Sequence, residues 1–312
     1  MSENNTSIHH SSPYHVPVLF YETMEALQIK PDGVYVDCTF GGGGHSRGIL
    51  DRLETNGKLL VFDQDEDARK NLTDDERVIF VANNFRYVQR FLRLHGFTQV
   101  DGVLADLGVS SHQFDEGERG FTTRFEGPLD MRMDQRQENT ATHILKKFTE
   151  PQLHKLFEQY GEVTNSKTLA KHIVQHRSNS PLQTIAQLKA MISAVVKGNP
   201  NKYLAQVFQS LRIEVNDEMG ALKELLTQMP MVLKPGGRAA FITFHSLEDR
   251  LVKNFFRSGN VEDVECNPLL QEEERNELKI ITKKPITATA EEIKRNPRSR
   301  SAKLRVAEKK SI

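Results

Sequence analysis

Four consecutive glycines at residues 41–44 follow a short apolar run in the stretch VDCTFGGGGHS, and they are the strongest sign of a ligand site in this sequence. Glycine loses more backbone freedom on folding than any other residue, so such a run needs a compensating role. A glycine-rich turn between a strand and a helix lets ligand atoms approach backbone N–H groups closely. Three ligand classes use such a turn, and the neighbouring residues distinguish between them.

The residues after the glycines do not match either phosphate-binding pattern. A P-loop needs a lysine followed by Ser or Thr, whereas His45 and Ser46 stand at this point. The dinucleotide pattern Gly-x-Gly-x-x-Gly fails in both registers, because its third glycine position falls on Ser46 or on Arg47. These departures disfavour a pyrophosphate ligand without excluding it.

S-adenosylmethionine, the third class, fits the residues better. Its usual fingerprint is an acid at the end of the first strand and then Gly-x-Gly-Gly, which Asp37 and the glycines match. This ligand carries no phosphate, so no lysine is needed at the turn. Asp63 lies about 20 residues beyond the glycines, at the end of the next predicted strand, where an acid can bind ribose hydroxyls. The pattern therefore favours S-adenosylmethionine over a nicotinamide cofactor.

Alternating strand and helix patterns would place these residues at one edge of a sheet. The apolar runs predict buried parallel strands at 34–38, 58–63, 77–82 and 100–107, with helices at about 45–54, 65–72 and 85–95. A Pro-Gly turn leads into a further strand at 238–246, and a final antiparallel pair is predicted at 278–284 and 302–307. This order implies a doubly wound sheet with right-handed crossovers.

The alternation stops after residue 107, which predicts an insertion. Residues 108–135 have the composition of a loop, and residues 140–226 have helical patterns. We expect an α/β fold of the class I S-adenosylmethionine-dependent methyltransferase type, Rossmann-like with a mostly parallel sheet and an inserted α-helical domain. The predicted units are a disordered N-terminus at 1–13, a discontinuous methyltransferase domain at 14–112 and 216–312, and a helical substrate-recognition domain at 113–215.

The formal net charge of zero hides a separation of charges along the chain. Residues 293–310 hold eight Lys or Arg against one Glu, and residues 143–215 hold ten against four. Such segregation favours a polyanionic partner. The start lacks a signal-peptide pattern and no apolar run is long enough for a membrane helix, so we expect a cytoplasmic protein without membrane contact. The two cysteines, Cys38 and Cys266, predict neither a disulfide framework nor a metal site.

Several longer blocks resemble one enzyme family over nearly the whole chain, from about Tyr14 to Lys309. They include DLGVSS, GPLDMRMD, FHSLEDR and NPRSRSAKLR. These blocks are similar to those of the bacterial small-subunit (16S) ribosomal RNA cytosine-N4 methyltransferases, the MraW/RsmH family. The resemblance implies S-adenosylmethionine-dependent methylation of a specific cytosine in the decoding region. Its partner would be 16S rRNA or the small ribosomal subunit, and the oligomeric state stays open, with a homodimer as one alternative.

The resemblance also implies cofactor contacts, carried over position by position. These are Gly43, Gly44, His45, Asp63, Phe85, Asp106 and Gln113. Phe85 has a physical reason to belong to this set, because an aromatic ring can stack on adenine. The chain departs from the family pattern at Gly42, where Arg is usual, at His112, where Pro is usual, and in the segment 202–213.

Methyl transfer to an exocyclic amine sets the requirements for the catalytic residues. The lone pair of cytosine N4 is delocalised into the ring, so an acceptor for the N4 hydrogen would help the reaction. Asp106, Ser110 and Ser111 are the candidates, since the end of the fourth strand lies near the methyl group in this fold. Methylation at carbon 5 would need a reactive cysteine, and neither Cys38 nor Cys266 has the positive surroundings that lower a thiol pKa.

Residues after the fifth strand and in the basic tail are candidates for substrate binding. His245 and Arg250 follow a strand at the ligand-binding edge of the sheet, in a segment that also resembles a helix start with Ser246 as N-cap. Arg298, Arg300 and Lys303, together with Arg305, are suited to phosphate contacts. Two alternatives stay open: a non-catalytic ribosome-assembly factor with the same fold, and an N-methyltransferase acting on DNA or protein.

Overall fold

The computed structural model describes residues 17–180, 182–262 and 276–311. The segment 1–13, predicted to be disordered, lies outside these ranges, and so does Cys266. Within them, each helix is too short or too polar to span a lipid bilayer.

A single eight-stranded sheet forms the centre of the α/β part. Its strand order is β3-β2-β1-β4-β5-β8-β6, with β7 also paired to β8. The strands are β1 Val34–Asp37, β2 Lys58–Phe62, β3 Val78–Val81, β4 Val100–Asp106, β5 Leu233–Thr243, β6 Leu278–Ile280, β7 Ile286–Thr287 and β8 Lys303–Lys309. Strands β1 to β5 are parallel, and β8 runs antiparallel to β5, β6 and β7. The mostly parallel sheet and the final antiparallel pair are therefore confirmed.

Twelve α-helices surround the sheet or build the insertion within the described residues. They are α1 Phe20–Leu27, α2 Gly44–Leu50, α3 Val88–Leu94, α4 Ser111–Asp115, α5 Ala141–Lys147, α6 Glu150–Gln159, α7 Ser166–His176, α8 Ile185–Ile192, α9 Pro200–Asn216, α10 Glu218–Val232, α11 Ser246–Ser258 and α12 Ala290–Arg295.

The strand order places the carboxyl ends of β1 and β4 at the switch point of the sheet. Strand β1 pairs with β2 on one side and with β4 on the other, so the chain leaves these two neighbours in opposite directions. A crevice opens at such a point, and ligands of open α/β sheets bind there. Asp37 ends β1 and Asp106 ends β4, while the rest of β4 is fully buried. These two carboxylates thus lie at the strand ends that border the crevice.

The insertion has its own hydrophobic core, which is separate from the two clusters that cover the faces of the sheet. All of its buried members lie between residues 121 and 215, mostly on α5 to α9. The side chain of Asn216, at the end of α9, ties the segment before α5 to this core. It accepts a hydrogen bond from the Met133 backbone N–H at 2.7 Å and donates one to the Met131 carbonyl at 2.8 Å.

The prediction of a continuous loop at residues 108–135 was wrong in part. Helix α4 and a 3₁₀ turn at Gly117–Arg119 lie within it. Helix α4 begins at a capping box in which Ser110 Oγ accepts from the Gln113 backbone N–H, and Gln113 Oε1 accepts from the Ser110 N–H. The helix predicted at 65–72 is a 3₁₀ helix at Glu66–Asn71.

We predict that Gly102→Ala destabilises the sheet. Gly102 lies beside Tyr35 in the β1–β4 register, and a Cβ atom there would come within 2.8 Å of the buried Tyr35 ring. Overpacking of this kind should lower the free energy of unfolding by about 1–3 kcal/mol in chemical denaturation. Gly42→Ala is the matched control, because a Cβ at Gly42 meets no atom within 4 Å. Equal unfolding midpoints for the two variants would contradict the packing argument.

Candidate active site

Asp37 organises the start of the glycine turn. Its side chain is buried, and Oδ1 accepts a hydrogen bond from the Thr39 N–H at 3.0 Å while Oδ2 accepts one from the Ser46 hydroxyl at 2.7 Å. Burial raises the pKa of Asp37, and these hydrogen bonds oppose that effect. Thr39 in turn accepts from the Asp106 backbone N–H at 2.7 Å, so Asp37 ties β1, α2 and β4 together.

The glycine turn leaves part of its backbone open. Gly41 and Gly43 have φ angles of 50° and 70°, a left-handed conformation that favours glycine. A side chain on Gly44 would overlap Pro17, whereas Gly42 has open space around it. A Cβ on Gly41 would lie 3.6 Å from Ser110, which shows that the turn faces the loop after β4. The turn can therefore line a site without obstructing it.

Asp63 connects the end of β2 directly to the glycine turn. Its Oδ2 accepts from the Gly41 N–H at 2.8 Å, and its Oδ1 accepts from the Asp65 N–H at 2.9 Å. Burial is the main cause that raises the pKa of Asp63 to about 6, with smaller contributions from the carboxylates of Asp65 and Asp37. The predicted ribose-binding acid and the glycines thus form one unit at the edge of the sheet.

A buried ion pair beside this unit was not found from the sequence. Asp65 pairs with Arg119 at 2.9 Å, and the Gln113 side chain donates to the same Asp65 oxygen at 2.8 Å. Both charged side chains are almost fully buried, at 5% and 10% exposure. The available signals were the acid-rich stretch DQDED after β2 and the arginine between glycines in GERG. The contact places the predicted Gln113 beside Asp65, whose backbone N–H donates to Asp63.

His45 and Asp106 lie opposite each other behind the glycine turn. His45 Nε2 is 3.0 Å from the Val18 carbonyl oxygen, and Nδ1 is 3.5 Å from Asp106 Oδ2. Burial lowers the pKa of His45 to about 4. Burial, followed by the charges of Asp37 and Glu248, raises the pKa of Asp106 well above its usual range. Asp106 Oδ1 is buried and has no hydrogen-bond partner.

The other candidates around the site have less direct positions. Phe85 is half-buried in a 3₁₀ turn at Phe85–Tyr87 and packs against one hydrophobic cluster of the α/β part. Ser110 uses its hydroxyl to cap α4. Ser111 is the first residue of that helix, and its side chain lies outside the described part of the structure.

Helix α11 begins with His245 rather than with Ser246 as its N-cap, which corrects the sequence interpretation. The ring atom Nδ1 of His245 accepts from the Glu248 N–H at 3.4 Å, and Glu248 Oε2 accepts from the His245 N–H at 3.3 Å. The Ser246 hydroxyl instead donates to Glu162 of the insertion at 3.2 Å. An imidazole nitrogen can replace a hydroxyl as a cap because it offers the same kind of lone pair.

His245, Glu218 and Glu248 place three metal-ligand atoms within 4.8 Å of one another. Arg212 already binds both oxygens of Glu218, at 2.8 and 2.9 Å. The capping contact to Nδ1 places the ring hydrogen of His245 on Nε2, the nitrogen that a metal would need free. Burial alone would raise the pKa of Glu248, but His245 and Arg212 hold it below its usual value. The cluster is therefore better suited to internal charge pairing than to a cation.

The basic tail is partly neutralised by acids of the same chain. Lys303 and Arg305 both contact Asp249, at 3.1 and 2.6 Å, which reduces the charge that they can offer to a phosphate. Arg298 pairs with Asp115 at 2.8 Å. Arg300 is exposed on the 3₁₀ turn that precedes β8. Arg250 is exposed on α11.

Comparison with known proteins gives matches over nearly the full length. A family model described as the MraW methylase family matches residues 12–310. The chain is 52% identical over 300 residues to "Ribosomal RNA small subunit methyltransferase H" of Parabacteroides distasonis, covering 96% of this chain and 98% of that one. It is 51% identical over 298 residues to the protein of the same name from Bacteroides fragilis, covering 95% and 98%.

We predict that Arg119→Met destabilises the protein strongly, because it leaves the carboxylate of Asp65 buried without its partner. Breaking a buried pair in this way costs about 3–5 kcal/mol. Lys70→Met is the matched control, since Lys70 pairs with Asp67 while remaining 77% exposed and should change stability little. Thermal unfolding of both variants measures the difference, and an Arg119→Met protein as stable as the control would refute the assignment.

Proposed function

The chain belongs to the MraW methylase family, and on this basis we propose that it methylates the N4 atom of one cytosine in the decoding region of 16S ribosomal RNA. The observation that carries the proposal is the sequence identity to two proteins named as small-subunit rRNA methyltransferases. About half of the aligned residues are identical, and the alignments cover nearly the full length of this chain. The methyl donor is S-adenosylmethionine. The choice of a decoding-region cytosine, and of its N4 as the methylated atom, follows from the family resemblance.

The site residues fit this donor on physical grounds. Open backbone at Gly42 and the left-handed turns at Gly41 and Gly43 leave room for a nucleoside against the peptide edge. The carboxylate of Asp63 keeps free lone pairs that can accept from ribose hydroxyls. Phe85 is only partly buried, so its ring can offer a face to adenine. Gly43, Gly44, His45 and Gln113 complete the proposed contacts through the same crevice.

Asp106 is the proposed acceptor for the N4 hydrogen. The bound donor supplies an electrophilic methyl group on a positively charged sulfur, and the protein contributes mainly by positioning the amine in line with it. An ionised Asp106 would accept a hydrogen bond from N4 and localise its lone pair. Ser110 and Ser111 follow in the same loop after β4 and are proposed to shape the space for the base. The unpartnered Oδ1 of Asp106 supports this role, because an acceptor buried without a donor is costly.

The helical insertion is the proposed RNA-recognition domain. Its separate core would let it act as a rigid body beside the crevice, and its basic excess favours contact with phosphates. The hydrogen bond from Ser246 to Glu162 joins the insertion to the start of α11, where His245 and Arg250 are proposed to border the target base. Arg298, Arg300 and Lys303 would add phosphate contacts from the basic tail, with Arg300 the most accessible of the three. The proposed methyltransferase domain thus consists of residues 14–112 together with residues 216–312, and the proposed RNA-recognition domain consists of residues 113–215.

Mass mapping of ribosomal RNA tests the proposal. Small subunits that lack the modification should gain one methyl group on a single decoding-region cytosine when incubated with the protein and S-adenosylmethionine. Nuclease digestion and fragmentation of the nucleoside would place the methyl on N4. Methylation of carbon 5, of DNA, or of nothing would overturn it. Binding of the subunit without methylation would favour an assembly factor.

We predict that variants of the two proposed sites separate cofactor binding from RNA binding. Asp63→Ala removes an acceptor for the ribose and should weaken S-adenosylmethionine binding by about 10-fold or more, which corresponds to one or two lost hydrogen bonds. The double variant Arg298→Ala with Arg300→Ala should instead weaken RNA binding and reduce its salt dependence. Calorimetry with the cofactor and filter binding with the RNA measure the two effects, and equal losses in both assays would contradict the roles assigned.

A further inference from the structure

The contact between His45 and Asp106 indicates that these two side chains share one proton, in addition to the ring hydrogen of His45. The Val18 carbonyl can only accept, so Nε2 of a neutral His45 carries the ring hydrogen and Nδ1 presents its lone pair. That lone pair faces Asp106 Oδ2 at 3.5 Å. A carboxylate and a nitrogen lone pair would repel each other at this distance. One proton therefore belongs to the pair, and the pair as a whole is uncharged.

The surroundings favour Asp106 over His45 as the group that holds this proton in the free protein. His45 is 6% exposed and packs beside Phe20, and this burial disfavours an imidazolium. The ionised form of Asp106 would gain no hydrogen bond at Oδ1.

Other acids around Asp106 act in the same direction. The titratable groups that face it, besides His45 on α2, are Asp37 at the end of β1 and Glu248 on α11. Both acids disfavour a further negative charge, although the charge of Glu248 is partly balanced by Arg212 and His245. A protonated Asp106 could not serve as a base, which leaves the proposed reaction without its acceptor.

We propose that Asp106 is protonated in the free protein and loses this proton when a positively charged methyl donor binds beside it. Asp106 would then become an acceptor for the N4 hydrogen only in the loaded enzyme, with His45 as the residue that positions it. A positive charge within about 4–6 Å of a carboxyl group lowers its pKa by roughly 1–3 units. The inference rests on the proposed function and adds a coupling between donor charge and protonation state.

The proton balance closes over one turnover. Asp106 releases its proton to solvent when the donor binds. In the transfer, the methyl–sulfur bond breaks with its electron pair passing to sulfur, the nitrogen–methyl bond forms, and the N4 proton moves to Asp106. The sulfur product is neutral, so it no longer favours the carboxylate and Asp106 keeps the proton. One proton is released for each methyl group transferred, and the free protein is restored.

Calorimetric titration with two ligands tests this coupling without measuring activity. S-adenosylmethionine carries the sulfonium charge, and S-adenosylhomocysteine is its neutral counterpart. Titrations near neutral pH in buffers of different ionisation enthalpy give the number of protons released by each ligand. We expect about one proton more with S-adenosylmethionine, the stoichiometry of a single carboxyl group. Protons released by Asp63, whose pKa is about 6, should be common to both ligands and cancel in the difference.

Two variants assign the difference to Asp106. Asp106→Asn cannot ionise and should abolish the difference while S-adenosylhomocysteine still binds. Asp32→Asn alters an exposed carboxylate and should leave the difference as in the wild-type protein.

Equal proton release by both ligands in the wild-type protein would overturn the inference, and this test does not depend on whether Asp106→Asn folds. A difference in proton release that persists in Asp106→Asn would also overturn it. If rRNA is methylated while release is equal, only the coupling fails. If neither ligand binds, the proposed function fails with it.

Discussion

The central constraint on this structure is the crowding of carboxylates at one buried edge of a parallel sheet. Asp37 and Asp106 end two neighbouring strands and Asp63 directly follows a third, and burial penalises negative charge at each position. The three carboxylates differ in the hydrogen bonds that offset this cost of burial. Asp37 receives hydrogen bonds from a hydroxyl and a backbone N–H, Asp63 receives two backbone N–H groups, and Asp106 lacks such donors. The three acids are therefore chemically distinct although they occupy equivalent places in the fold.

The glycine turn also helps to satisfy these buried acids. The Gly41 N–H binds Asp63, and the left-handed turn that follows brings α2 close enough for Ser46 to reach Asp37. A larger residue at Gly44 would separate α2 from Pro17. The same backbone that is free of side chains on the crevice side is thus hydrogen-bonded on its other side. The stability of the sheet edge therefore depends on the same short segment that is proposed to bind the cofactor.

The sequence was sufficient to predict features that repeat or are local. Buried parallel strands are continuous apolar runs, and the acids that end them stand out in those runs, so β1 to β4 and Asp37, Asp63 and Asp106 could be found. Contacts between segments that are distant in sequence could not be predicted in this way. Asp65 and Arg119 are 54 positions apart, and nothing in either stretch specifies the other. The pairing of Lys303 with Asp249 likewise depends on how β8 lies against α11. The cap of α11 was misplaced because a histidine, which is seldom chosen for this role, provides the acceptor.

The position of β8 has a consequence for how the protein is made. This strand spans residues 303–309 but lies inside the sheet, between β5 and β6, and it also pairs with β7. During synthesis on the ribosome, β5 must wait with one edge exposed until more than sixty further residues have emerged. An exposed apolar strand edge is prone to pair with other chains. A chaperone or a transient cover for β5 would therefore protect the nascent chain, and a stop codon a few residues before β8 would leave the sheet incomplete.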